Sequence, residues 1–232
     1  MTPIQPGEEG TMSANDRAAQ ENRTRLDAAG VFGINLMASP GAGKTSLVLR
    51  TIEALSTRVR IGVVEGDTTA TTLDAERVSE VGVPVVPVNT GGSSQVDAAL
   101  LSQALTSLPL EDLDLLIVEN VGNLVWPARV RLGTHADVLI ASVPEGDDKP
   151  YKYPHVYRSI DALVLNKTDL LPWVSFNLQY FRSGVAMLNP NVSFFSLSCY
   201  TGADLHRWID WLALHLKSAA RAAAVAGRPR IA

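Results

Sequence analysis

A single cysteine, Cys199, stands in 232 residues, so no disulfide can close within the chain and a reducing compartment is compatible. No run of lysine or arginine occurs and the net charge is −4, which removes the electrostatic footprint of a nucleic-acid binder. The acidic residues are scattered along the chain, so the mild negative balance reads as solubility. No apolar run approaches the roughly 20 residues that a membrane span needs. The N-terminus carries Glu8 and Glu9 in place of the charged-then-apolar pattern of a signal peptide. A cytoplasmic protein without nucleic acid or membrane among its partners is expected. What is present suffices for one α/β domain with a sizeable core, since 46% of the residues are hydrophobic.

The chain is organised around Ala38-Ser39-Pro40-Gly41-Ala42-Gly43-Lys44-Thr45, which fits the phosphate-loop pattern GxxxxGK[ST] with alanine in the first position. Residues 31–37 before it read as a buried strand, and Ser46 to Leu55 after it carry apolar residues at helical spacing. Gly41 and Gly43 allow successive N–H groups, with those of Ala42 and Ser46 nearby, to face phosphate oxygens at the positive start of a helix. Lys44 would reach the β- and γ-phosphates and Thr45 would ligate Mg²⁺.

The first 12 residues read as a flexible tail, followed by a polar helix from Ser13, which with Asp16 resembles a capping box, to about Ala28, with Gly30 as its stop. A strand over 60–65 ends in Gly66-Asp67, at the carboxyl edge where doubly wound sheets bind ligands; Asp67 is a candidate for Mg²⁺ or water, or else caps a helix near 71–81. Residues 83–88 form a strand whose prolines indicate that it lies near an edge or starts late. A loop over 89–95 leads to a helix over 96–107. The strand 113–119 ends in Glu119-Asn120-Val121-Gly122, the spacing of a DxxG switch with glutamate leading, so Glu119 is a metal or water ligand and Gly122 a γ-phosphate contact. Strands over 136–143 and 162–165 are separated by a polar loop from Pro144 to Pro154. The second delivers Asn166-Lys167-Thr168-Asp169, in which Asp169 would pair with the N–H edge of guanine while the Lys167 stem packs on the ring; adenine would leave that carboxylate unpaired. A last strand over 191–198 runs into Ser198-Cys199-Tyr200, a second base-side loop. In the final helix Leu205, Trp208, Ile209, Leu212 and Leu216 share a face, so Trp208 reads as core, and His206 and His215 fall off it as solvated residues.

With these residues in view, the chain resembles the HypB family, nickel-incorporation GTPases used in maturing [NiFe] hydrogenases, within the SIMIBI class of P-loop GTPases. The resemblance covers roughly residues 14–216 and rests most on Glu119 to Leu124, on Glu145-Gly146-Asp147-Asp148-Lys149-Pro150 with Lys152-Tyr153-Pro154, and on Leu165 to Pro172. It implies a doubly wound, mostly parallel α/β sheet, a GTPase domain over 13–217 followed by an Ala- and Arg-rich tail over 218–232, and GTP or GDP with Mg²⁺ as ligands. The catalytic set is Lys44, Asp67 and Glu119, with Thr45, Asp67 and Glu119 around the metal. It further implies a GTP-dependent homodimer, and hydrogenase maturation proteins and the hydrogenase large subunit as partners. One departure stands out. Where the family carries Cys and His after AsnThrGly and a Cys before Pro, this chain has Ser94, Gln95 and Trp126, whose chemistry is poor for nickel or zinc. Two functions follow: a factor assisting nickel insertion, or a regulatory or scaffolding GTP switch that carries no metal itself.

Overall fold

The computed structural model describes residues 13–68, 78, 80–124 and 130–225. Seven strands form one parallel sheet in the order β3-β2-β4-β1-β5-β6-β7. They are β1 (Phe32–Ala38), β2 (Ile61–Asp67), β3 (Val85–Asn89), β4 (Leu115–Glu119), β5 (Ala136–Ser142), β6 (Ala162–Asn166) and β7 (Ser193–Ser196). β1 lies at the centre between β4 and β5, so the turn that follows it opens where the connections diverge, the place such sheets bind ligands. The proline-containing strand β3 is an edge, as its sequence requires, because Pro87 cannot donate to a ladder on both sides.

The helices follow from capping and periodicity. α1 (Ala14–Ala29) starts at Ser13, whose hydroxyl accepts from the Asp16 N–H, and stops at Gly30 with φ 67°. α2 (Lys44–Leu55) and the final helix cover one sheet face, and α1 and α3 (Ala98–Thr106) cover part of the other. The stretch from Pro144 to Pro154, expected as a loop, contains the short helix α4 (Lys149–Lys152) and leads into α5 (Pro154–Arg158). α6 (Leu178–Leu188), which sequence reasoning passed over, is capped by Asn177 and buries Phe181 and Val185. α7 (Leu205–Val225) continues the final helix well into the Ala-rich segment.

Trp208 is fully buried and its indole N–H donates to Thr51 Oγ1 at 2.9 Å, which meets the polar requirement of a buried tryptophan. His215 corrects the expectation of a solvated residue. Its ring lies 4.3 Å from Trp211 and 5.3 Å from Phe32, centroid to centroid, and its Nδ1 meets the Trp211 carbonyl. His206 is exposed as expected. The helix expected near 71–81 and the position of Trp126 fall largely or wholly outside the described residues.

Candidate nucleotide site

Ser39 to Gly43 turn the chain from β1 into α2. Gly41 and Gly43 adopt φ 75° and 107°, a region open to glycine and strained for other residues. At Gly43 a side chain would also collide with Asn166 Nδ2. The loop's carbonyls are held from outside: Asn166 Nδ2 donates to Ala42 O at 3.0 Å and Lys167 Nζ to Gly41 O at 2.7 Å. Because a trans peptide sends its C=O and N–H to opposite sides, fixing the Ala42 carbonyl on Asn166 turns the Gly43 N–H the other way. Lys44 opens α2, and Ser46 in the same first turn is exposed. Thr45 is buried and donates its hydroxyl proton to Glu119 Oε1 at 2.8 Å.

The segment after β6 is locked to its neighbours by the same asparagine. Asn166 Oδ1 accepts from the N–H groups of Lys167 (2.7 Å) and Cys199 (3.0 Å), so its amide nitrogen must face Ala42. Lys167 takes a left-handed φ of 60°. Asp169 Oδ1 accepts from Ser198 Oγ at 2.5 Å, and that buried hydroxyl also accepts from the Thr201 N–H. Burial pushes the Cys199 thiol up to about 11, so it stays protonated and serves as packing beside the loop. Arg50 of α2 adds a contact that no sequence pattern signalled: Nε donates to Cys199 O at 2.8 Å and Nη2 to Tyr200 O at 3.2 Å.

Gly122 faces the same loop. A Cβ there would stand 3.4 Å from Pro40 Cα and 3.6 Å from Lys44 Nζ. Glu119 is buried at the end of β4, and the pairing of Glu65 with Glu119 places Asp67 farther toward the carboxyl edge on the neighbouring strand. Asp67 is half-buried and accepts from the Thr68 hydroxyl at 3.2 Å. Residues far apart in the chain thus converge on Ser39–Thr45 from two sides, Glu119 and Gly122 on one, Asn166 and Lys167 on the other, with Asp169, Ser198 and Cys199 behind the latter. A glycine-lined anion cradle beside a buried hydroxyl–carboxylate pair fits a nucleotide phosphate chain with its magnesium.

The model of the CobW/HypB/UreG nucleotide-binding domain matches residues 33–196. The hydrogenase maturation factor HypB of Azotobacter vinelandii is 43% identical over 205 residues, which are 88% of this chain and 67% of that protein. HypB of Escherichia coli is 39% identical over 87% of this chain and 69% of its own length. This chain belongs to the HypB family. Solved HypB structures agree in fold: that from Archaeoglobus fulgidus superposes with a TM-score of 0.83 at 35% identity, over 88% of this chain and all (100%) of that one. HypB from Helicobacter pylori in complex with nickel gives 0.84 at 32% identity, over 89% and 96%.

The described residues that the family resemblance assigns to metal, Ser94 and Gln95, carry no donor of the kind nickel favours. Ser94 and Gln95 are half-buried, and Gln95 Oε1 is buried without a hydrogen-bond partner among the described residues. Hydroxyl and amide oxygens are hard neutral donors, whereas nickel and zinc favour imidazole and thiolate. His135 has both ring nitrogens engaged: Nδ1 accepts from the Gly33 N–H and Nε2 lies 2.9 Å from Asp27 Oδ1. Burial lowers its pKa, so the neutral ring carries its proton on Nε2 toward Asp27. His155 is exposed on α5.

Proposed function

We propose that this chain is a magnesium-dependent GTPase acting in the maturation of [NiFe] hydrogenase. The observation that carries the reading is the bonding of Asn166 and Lys167 to the carbonyls of Ala42 and Gly41, which ties a guanine-reading segment to a phosphate loop. Ser198 holds Asp169 by Oδ1, and the carboxylate so fixed accepts the N–H edge of guanine. Lys44 and the helix start neutralise the β- and γ-phosphates, and Gly122, packed close to Lys44 Nζ, would offer its N–H to the γ-phosphate. Thr45, Glu119 and Asp67 would hold Mg²⁺, which supplies charge neutralisation on the phosphates when bound. Phosphoryl transfer needs positioning and charge more than covalent chemistry, and these residues supply both.

The relatives' naming as hydrogenase maturation factors supports a role in that maturation; a cytoplasmic, GTP-dependent homodimer working with maturation proteins and the hydrogenase large subunit is what the family resemblance adds to the reading. Nickel is then cargo of the assembly. Ser94 and Gln95 favour a second reading, a regulatory or scaffolding GTP switch within that complex that does not itself carry the metal. Phosphate release from GTP with and without Mg²⁺ tests the common part. Magnesium-dependent release that disappears in Lys44→Ala supports it, and release equal to that variant's rejects it.

A further inference from the structure

Directly after β4 a carboxamide is buried among apolar neighbours: Asn120 is 1% exposed. Its Oδ1 accepts from the N–H groups of Val96 and Val121, each at 2.9 Å. Its Nδ2 donates to Asn35 Oδ1 at 3.1 Å, and Asn35 in turn donates to Asp137 Oδ1 at 2.9 Å. Two backbone donors on one oxygen settle which way the amide faces, and the chain of amides behind it holds that orientation.

The two N–H groups belong to segments with different roles. Val121 precedes Gly122, which lies against Pro40 and Lys44 Nζ. Val96 closes the loop that leaves β3 and contains Ser94 and Gln95. Where these segments cross the end of β2 there is no slack. A Cβ at Gly66 would run into Val96 Cγ2 and would stand 3.3 Å from Glu119 O and 3.7 Å from Val121 N.

We infer that Asn120 is a positioning residue that couples the nucleotide state read at Gly122 to the loop over 89–96. A buried N–H that loses its acceptor is costly, so Val96 and Val121 keep their shared oxygen and move together. Order imposed on 119–122 by the γ-phosphate is passed to the loop through one carbonyl oxygen. The coupling rests on reading Gly122 as the γ-phosphate contact.

Amide hydrogen exchange at Val96, measured on the full chain with GDP and with a non-hydrolysable GTP analogue, tests it. Val96 exchange is expected to slow roughly tenfold when the analogue replaces GDP. Asn120→Ala is expected to abolish that difference while GDP affinity stays within about threefold. Asn120→Asp keeps an oxygen acceptor and is expected to retain the difference. A residue that only supports the fold would raise Val96 exchange equally in both states, leaving their ratio intact. Equal Val96 exchange in the two wild-type states, a ratio that survives Asn120→Ala, or its loss in folded Asn120→Asp would each overturn the coupling. If Asn120→Ala does not fold, the wild-type comparison and Asn120→Asp decide. A wild-type chain that binds neither nucleotide overturns the reading of the site and the coupling with it; binding without an exchange difference overturns the coupling alone.

Discussion

The Thr45 hydroxyl donates to Glu119 Oε1 at 2.8 Å, joining the first turn of the phosphate-loop helix to the end of β4 across a buried gap. Both groups are oxygens of the kind magnesium takes, and the bond holds them side by side. Glu119→Gln keeps the shape and removes the charge. Its turnover, followed by phosphate release, is expected to fall by about one to two orders of magnitude, with a higher magnesium requirement. Unchanged turnover and magnesium dependence would remove Glu119 from the site.

Asn166 offers a different handle, because it acts on the loop from outside. Asn166→Ala removes the donor to Ala42 and the acceptor of two backbone N–H groups, leaving buried polar groups unpaired at about 1–3 kcal/mol each. Nucleotide affinity is expected to drop at least tenfold, or about 1.4 kcal/mol, alongside a lower melting temperature. Calorimetric titration of GDP on the folded variant checks it. Wild-type affinity would show that the loop holds its shape without this brace.

His135 predicts a pH dependence whose sign follows from its surroundings. Burial, which outweighs the opposing Asp27 contact, depresses its folded pKa below the ordinary histidine value of about 6.5. A depressed pKa means that acid favours the unfolded state. The stability contribution is therefore present above the unfolded pKa and is lost as pH falls through the folded one. His135→Gln is expected to flatten the acid-side slope of unfolding free energy in urea titrations below about pH 6.5. Identical slopes would contradict the assignment.

Much of this was legible in the sequence. The phosphate loop, the Asn166–Asp169 segment and the edge strand β3 were visible because each imposes a local requirement: left-handed glycines, a strand-end carboxylate, prolines that cannot donate. What escaped was tertiary. Nothing in the order of residues shows that Asn166 braces the Ala42 carbonyl, that Arg50 reaches the Cys199 carbonyl, or that Asn35 and Asn120 share a bond. Asn35 and Asp137 did carry a faint signal as polar residues inside apolar strands. α6 was missed although Leu178, Phe181, Val185 and Leu188 keep helical spacing after the capping Asn177. His215 was misplaced because a residue beside the apolar stripe of α7 is still covered when Trp211 and Phe32 close over it.

Metal binding separates the two readings of function. With oxygen donors at Ser94 and Gln95, the dialysed, tag-free chain is expected to hold neither Ni²⁺ nor Zn²⁺ at this loop more tightly than about 1 μM, with or without GTP. Equilibrium dialysis read by elemental analysis measures it. Stoichiometric binding tighter than that, lost in the Ser94→Ala, Gln95→Ala double variant, would restore a metal-carrying role to this loop.

The central claim is that the site reads guanine through Asp169, held by Ser198 and tied to the phosphate loop through Asn166. Competition of GDP, ADP and XDP against labelled GDP tests it most directly. GDP is expected to compete at least about a hundredfold better than ADP, since adenine presents no matching N–H edge to the half-buried Asp169 carboxylate, and Asp169→Asn is expected to turn the preference toward XDP. Displacement by ADP equal to that by GDP, or an Asp169→Asn variant with unchanged base preference, would contradict the account.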